Sequence, residues 1–320
     1  MRKYSMNQKI EKLKEEIGLV VVGQEQMIDG LLIGLLSDGH ILIEGVPGLA
    51  KTTTINSMAM ALGLGFKRIQ FTPDLLPSDI IGAEIYDPLH NSFKIKKGPL
   101  FTNLLLADEI NRAPSKVQSA LLEVMQERQV TIGDESFPID EPFLVMATQN
   151  PIEQEGVYRL PEAQLDRFMM KLIVRHNSQE EELEIMRRVA TKRLGSISTV
   201  LQREELQALR DAIQEIHIDS ELEQYIVTLI TATREPAKFG MASLEQALMF
   251  GASPRASVDL YKASKAKAFL RGKSHVTPAD IGSVIHDVLR HRIVLSYEAR
   301  AKGTTADEII STIIQTIPIP

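Results

Sequence analysis

The chain has no cysteine, which excludes a disulfide framework, a thiolate zinc site and a thiol nucleophile, and nothing in it calls for an oxidising compartment. It has no surplus of positive charge. The net charge is −6 and the pI near 5.7, a balance that supplies no field for a polyanion and makes nonspecific nucleic-acid binding an unfavoured expectation. Long apolar runs are missing as well. Residues 31–36 and 41–43 are parted by Ser37, Asp38 and His40, and each run is far too short to span a bilayer. Residues 1–14 turn polar after Arg2 and Lys3, without the apolar stretch of a secretory signal. A soluble, cytoplasmic protein with no membrane insertion is expected. The histidines, His286 and His291 among them, show no metal-ligand spacing and read as surface or core residues.

What is present is an ordinary globular composition, 44% hydrophobic and 24% charged over 320 residues. That length predicts two domains, each burying its own core. Short apolar runs at 41–44, 66–71, 104–107, 143–148 and 172–174 alternate with helical patterns, the form of a parallel sheet covered by helices on both faces. Val117, Leu121, Leu122 and Met125 recur at helical spacing after Pro114 and Ser115, so a helix is expected there. Two segments read as hairpins on this scaffold, 84–97 turning around Asp87 and Pro88, and 129–139 turning around Gly133 and Asp134. From Ser178, followed three residues later by Glu181 as in a capping box, the pattern becomes helical. Breaks fall at 236–241 and 251–252, and helix starts at Ser253-Pro254 and Thr277-Pro278. The predicted division is an α/β nucleotide-binding core over 1–177 and an all-helical domain over 178–320, with no further sheet.

The chemistry sits at strand ends. After the run 41–44 comes Gly45-Val46-Pro47-Gly48-Leu49-Ala50-Lys51-Thr52, a Walker A loop opening a helix. Small residues let backbone N–H groups turn around phosphates, the helix start adds its positive dipole end, Lys51 reaches the outer phosphates and the Thr52 hydroxyl binds Mg²⁺. Gly45, Pro47, Gly48, Leu49, Ala50, Lys51, Thr52 and Thr53 are the candidate ATP or ADP contacts. The strict motif has glycine where Ala50 stands, and alanine fits if its φ is negative. The run 104–107 delivers Asp108 and Glu109 at its end, a Walker B pattern in which Asp108 holds Mg²⁺ in its outer shell and Glu109 orients and activates water. The run 143–148 ends near Asn150, the candidate polar tip for the γ-phosphate or the lytic water.

These loops, together with Ala107-Asp108-Glu109-Ile110-Asn111-Arg112-Ala113-Pro114, Gln126-Glu127-Arg128-Gln129-Val130-Thr131, Ala147-Thr148-Gln149-Asn150-Pro151 and Leu160-Pro161-Glu162-Ala163-Gln164-Leu165-Asp166-Arg167-Phe168, resemble the MoxR family of AAA+ ATPases. The resemblance spans nearly the whole chain and runs on through Ser253-Pro254-Arg255-Ala256 to the proline-ending C-terminus, which implies a member without fused domains. It implies an AAA+ core with two hairpin inserts and a helical lid closing over the nucleotide. It makes Asn150 the sensor 1 residue, Arg167 the arginine finger and Arg255 the sensor 2 arginine, and sets Val22, Gly23 and Gln24 beside the adenine. Arg159 competes with Arg167 as the finger. The resemblance further implies a homo-oligomeric, hexameric ring that remodels or matures client proteins with a von Willebrand factor A domain partner. A nucleic-acid motor, a magnesium-chelatase-like subunit and a nucleotide-gated scaffold remain as alternatives. The acidic 129–139 hairpin speaks against the first, and the intact Glu109, Asn150 and Arg167 set against the last.

Overall fold

A computed structural model describes residues 2–151, 158–191 and 195–320. In chain order its strands are β1 (Ile41–Glu44), β2 (Phe66–Gln70), β3 (Gly82–Asp87), β4 (Ser92–Lys97), β5 (Leu104–Asp108), β6 (Gln129–Ile132), β7 (Glu135–Pro138), β8 (Leu144–Gln149), β9 (Met170–Ile173), β10 (Leu248–Phe250) and β11 (Val294–Leu295). Five of them form one sheet in the order β2-β5-β8-β1-β9, with every pairing parallel. Successive side chains on a strand face opposite ways. Ile41 and Ile43 of β1 therefore enter one core while Leu42 enters the other.

The core under Leu42, Leu105 and Val145 is closed by the Ser115–Glu127 helix, which buries Val117, Leu121, Leu122 and Met125 at the expected spacing. Both hairpins form as expected, β3 against β4 and β6 against β7. β9 lies two residues earlier at its start than the apolar run 172–174, because Phe168, Met169 and Met170 continue the buried stretch toward its amino end.

After Ser178 the chain is helical, and Ser178 caps the Gln179–Ala190 helix through Glu181, as its spacing predicts. Ser253 likewise caps the Pro254–Leu270 helix by accepting the N–H of Arg255. Two features differ from the sequence reading. β10 and β11 pair as an antiparallel ribbon inside the helical part; strands of three and two residues carry too short a period to be read. The helical part also has no core of its own. Leu206, Ile226, Leu260 and Ile285 join Ile41, Met146 and Leu172 in one continuous interior against the second face of the sheet.

Candidate nucleotide site

β1 ends at Glu44 and the chain turns through residues 45–50 into the Lys51–Ala61 helix, so the helix start opens at the carboxyl end of the sheet. Gly48 has φ +89° with nothing within 4 Å of where a Cβ would stand. Its conformation, not its space, calls for glycine. Ala50 corrects an expectation: its φ is 54° and its ψ 17°, left-handed and not negative. The alanine sits against its own backbone preference at a cost of about 1 kcal/mol. Its carbonyl accepts both the N–H and the hydroxyl of Thr54, at 2.8 and 3.0 Å, which holds the helix start together. Lys51 Nζ donates to Gly45 O at 2.6 Å. Burial lowers the Lys51 ammonium below the ordinary lysine range, against the opposing charges of Asp108 and Glu109.

At the end of β5, Glu109 is also left-handed, with φ 56° and ψ 50°. Such backbone strain collects at functional sites. Thr148, buried on β8, accepts the Glu109 N–H at 2.8 Å and donates its hydroxyl to Asp108 Oδ1 at 2.6 Å. From β2, Arg68 Nε donates to Asp108 Oδ2 at 3.0 Å, and Gln70 Nε2 donates to Glu109 Oε2 at 2.6 Å. Arg112 Nη1 donates to that same Glu109 oxygen at 2.9 Å. Sequence reasoning missed Thr148, Arg68, Gln70 and Arg112. The available signal was polar Arg68 and Gln70 alternating around Ile69 in an apolar run; the structure makes that run the edge strand and sets Gln70 in register with Asp108.

One cavity of about 370 Å³ brings together Gly45, Pro47, Gly48, Leu49, Ala50, Lys51, Thr52, Thr53, Asp108, Glu109 and Asn150. Val22, Gly23 and Gln24 are fastened at the same end of the sheet. Asn177 Nδ2 donates to Val22 O at 3.0 Å, and Gln24 Nε2 donates to Asn177 Oδ1 at 3.0 Å and to Arg175 O at 3.1 Å. Residues 175–177 follow β9, the neighbour of β1. Gly23 has φ +68°, a conformation that favours glycine, and a Cβ there would push aside the ends of the Glu181 and Asn177 side chains.

Arg167 and Arg255 are elsewhere. They line a second cavity of about 420 Å³ with Asp38, Gly39, His40, Arg128 and Met169. Residues 38–40 precede β1 and Met169 precedes β9, so this cavity lies at the amino ends of the strands, about 16 Å of strand from Gly45. Ser253 Oγ donates to Asp166, whose carboxylate also meets Arg292 Nε at 3.0 Å and lies 3.9 Å from Arg255 Nη1. Arg167 Nη1 donates to Leu122 O at 3.2 Å. These ties hold Arg255 at the amino end of the sheet, away from the phosphate loop of its own chain. Arg159 lines a third cavity with Glu44, Asn150 and Arg300, at the carboxyl side, and is thereby separated from Arg167.

A phosphate loop after β1 and two carboxylates after β5, on either side of the central β8 and opening on one cavity, define the class: a P-loop ATPase with a helical C-terminal part. Residues 40–170 match the ATPase family associated with various cellular activities (AAA), and residues 242–313 match the AAA lid domain. The chain is 48% identical over 311 residues to Chaperone MoxR1 of Mycobacterium tuberculosis, covering 97% of this chain and 82% of that protein. It is 30% identical over 327 residues to Protein MoxR of Methylorubrum extorquens, covering 97% and 94% of the two. A crystal structure from Cytophaga hutchinsonii is similar at a TM-score of 0.94 with 50% identity, over 99% of this chain and 97% of that one. An MCM homolog from Methanopyrus kandleri shares the fold at a TM-score of 0.59 and 16% identity, over 91% of this chain and 62% of that one. The chain belongs to the MoxR family of AAA+ ATPases. It binds nucleotide and hydrolyses ATP. No helix among the described residues is long and apolar enough to cross a membrane.

Proposed function

We propose that the chain works as a closed homo-oligomeric ring, hexameric by the family resemblance, in which Mg²⁺-dependent ATP hydrolysis drives remodelling or maturation of client proteins. The observation that carries the ring is the placement of Arg167 and Arg255 in one cavity at the amino end of the sheet, opposite their own phosphate loop. From there the finger and the sensor 2 arginine serve the phosphates of a neighbouring subunit. We divide the chain at 177/178 into the nucleotide-binding part and the lid.

Within one subunit Lys51 neutralises the outer phosphates, Glu109 orients and deprotonates the attacking water, Asn150 reads the γ-phosphate or that water, and residues 22–24 flank the adenine. Thr52 and Asp108 fit Mg²⁺: they share the cavity, and Asp108 Oδ2 already attracts a cation in Arg68. The bound ion supplies neutralisation of phosphate charge. A client is supported by the β3–β4 hairpin, which exposes Ile85, Tyr86, Phe93 and Leu89, the last 91% exposed. The Tyr86 and Phe93 rings meet across its strands at 5.4 Å, tilted by 58° to each other. The von Willebrand factor A partner rests on the resemblance alone.

Mixing tests the ring. Lys51→Ala subunits combined with the Arg167→Ala/Arg255→Ala double variant should regain ATPase activity that neither has alone. Assembled mixtures that stay inactive at every ratio would refute action between subunits. Affinity capture with Glu109→Gln held in ATP should enrich a protein client, and enrichment of nucleic acid in its place would favour the motor reading.

A further inference from the structure

We propose that Arg68 competes with the divalent cation for Asp108, and that its departure from that carboxylate also loosens Glu109. This deepens the nucleotide-site reading above and rests on it.

Nε and Nη2 of Arg68 both donate to Asp108 Oδ2, while Thr148 Oγ1 donates to Oδ1. Both oxygens of the carboxylate are therefore in use. A metal ion or its bound water reaches Asp108 either at Oδ2, in place of the guanidinium, or at the second lone pair of Oδ1, against the positive charge beside it. The two partners differ in freedom: the Arg68 side chain is 48% exposed and that of Asp108 15%. The aspartate is the anchored partner and the arginine the movable one. A half-exposed pair of this kind is weak and screened by solvent, whereas a divalent ion bound with phosphates is a compact double charge on hard oxygen ligands.

A second contact extends the effect to the neighbouring acid. Arg68 Nη2 also donates to Gln70 Oε1 at 3.0 Å, and the other end of that amide, Nε2, donates to Glu109 Oε2 at 2.6 Å. An amide has one accepting end and one donating end. With Arg68 on its oxygen, Gln70 must turn its nitrogen to Glu109. Moving the guanidinium removes the contact that fixes the amide, and Glu109 keeps Arg112 on the same oxygen. One side chain of β2 thus restrains the metal-binding carboxylate directly and the water-activating carboxylate through a single amide.

The test titrates Mg²⁺ into the full-length protein while following binding of a fluorescent ADP analogue, with Mn²⁺ electron paramagnetic resonance as a direct count of bound metal. Arg68→Ala should reach half-saturation at roughly two- to fivefold lower metal than wild type. Arg68→Lys, which keeps the charge but not the fork, should fall between. An unchanged or raised metal requirement in Arg68→Ala would overturn the inference, because a merely supporting arginine leaves Asp108 worse placed when removed. If Arg68→Ala melts at lower temperature, Arg68→Lys decides by the same comparison. Asp108→Asn should abolish the metal dependence. A wild-type curve indifferent to Mg²⁺ overturns the site reading and this inference with it, whereas a metal-dependent wild type with unshifted arginine variants overturns this inference alone.

Discussion

Ser253 Oγ stands 2.9 Å from Asp166 Oδ2 while accepting the Arg255 N–H at 3.2 Å. One hydroxyl therefore sets the spacing between the turn that carries Arg167 and the helix start that carries Arg255. Asp166 also neutralises Arg292, whose side chain is 1% exposed and which shares Asp259. Asp166→Asn should cost about 2–3 kcal/mol by leaving that buried guanidinium undercompensated. Ser253→Ala should cost about 1 kcal/mol as a lost cap. Urea denaturation of both variants checks the ranking.

Ala50 invites the reverse experiment. At φ 54° it occupies a conformation in which glycine has no Cβ penalty. Ala50→Gly should raise stability by about 0.5–1 kcal/mol, although alanine to glycine within a helix costs about 1 kcal/mol. A shift of the denaturation midpoint to lower urea would show that the loop relaxes with alanine in place.

Thr148 binds the two acidic residues into one unit, since its hydroxyl accepts from Glu109 N–H and donates to Asp108. Thr148→Val preserves the shape and removes both bonds. It should destabilise the fold by about 1–3 kcal/mol and lower kcat, as read by denaturation and by phosphate release.

Two histidines give the protein an acid limit. His40 accepts the Val145 N–H on Nδ1 at 3.0 Å, so its proton sits on Nε2 and is donated to Met125 O at 3.1 Å. Burial, aided by the charge of Arg128, pushes its pKa down to about 3. Burial, aided by Arg292, also holds His291 well below the ordinary range, with Nε2 donating to Phe168 O at 2.8 Å. Because the unfolded chain takes up these protons first, near pH 6.5, the stabilisation is whole above that pH and is lost as pH falls toward 3. His40 alone should subtract about 2 kcal/mol between pH 7.5 and 5. Urea midpoints across that range should fall, and His40→Asn should flatten its share of the slope.

The strands, both hairpins and the phosphate loop were legible because each is written in a contiguous stretch: an apolar run, a turn, a glycine spacing. What was not legible depends on pieces distant in the chain. The grip of Arg68 and Gln70 on Asp108 and Glu109 follows from the register of β2 with β5, which neither strand states alone. The position of Arg255 follows from where Asp166 and Arg292 hold its helix start, and Ser253-Pro254-Arg255 reads identically at either end of the sheet. Ala50 shows a further limit, since a motif position names a residue type and leaves its backbone angle to the turn.

The interior shared by Ile41 and Leu172 of the sheet and Leu260 and Ile285 of the helices has a mechanical consequence. Bending the chain near residue 177 would part that interior and wet apolar surface at about 25 cal/mol per Å². A subunit built this way turns as a block. In the proposed ring, strain raised at the phosphate loop is relieved at the seams between subunits, so one subunit's chemistry becomes a change in the posture of the next.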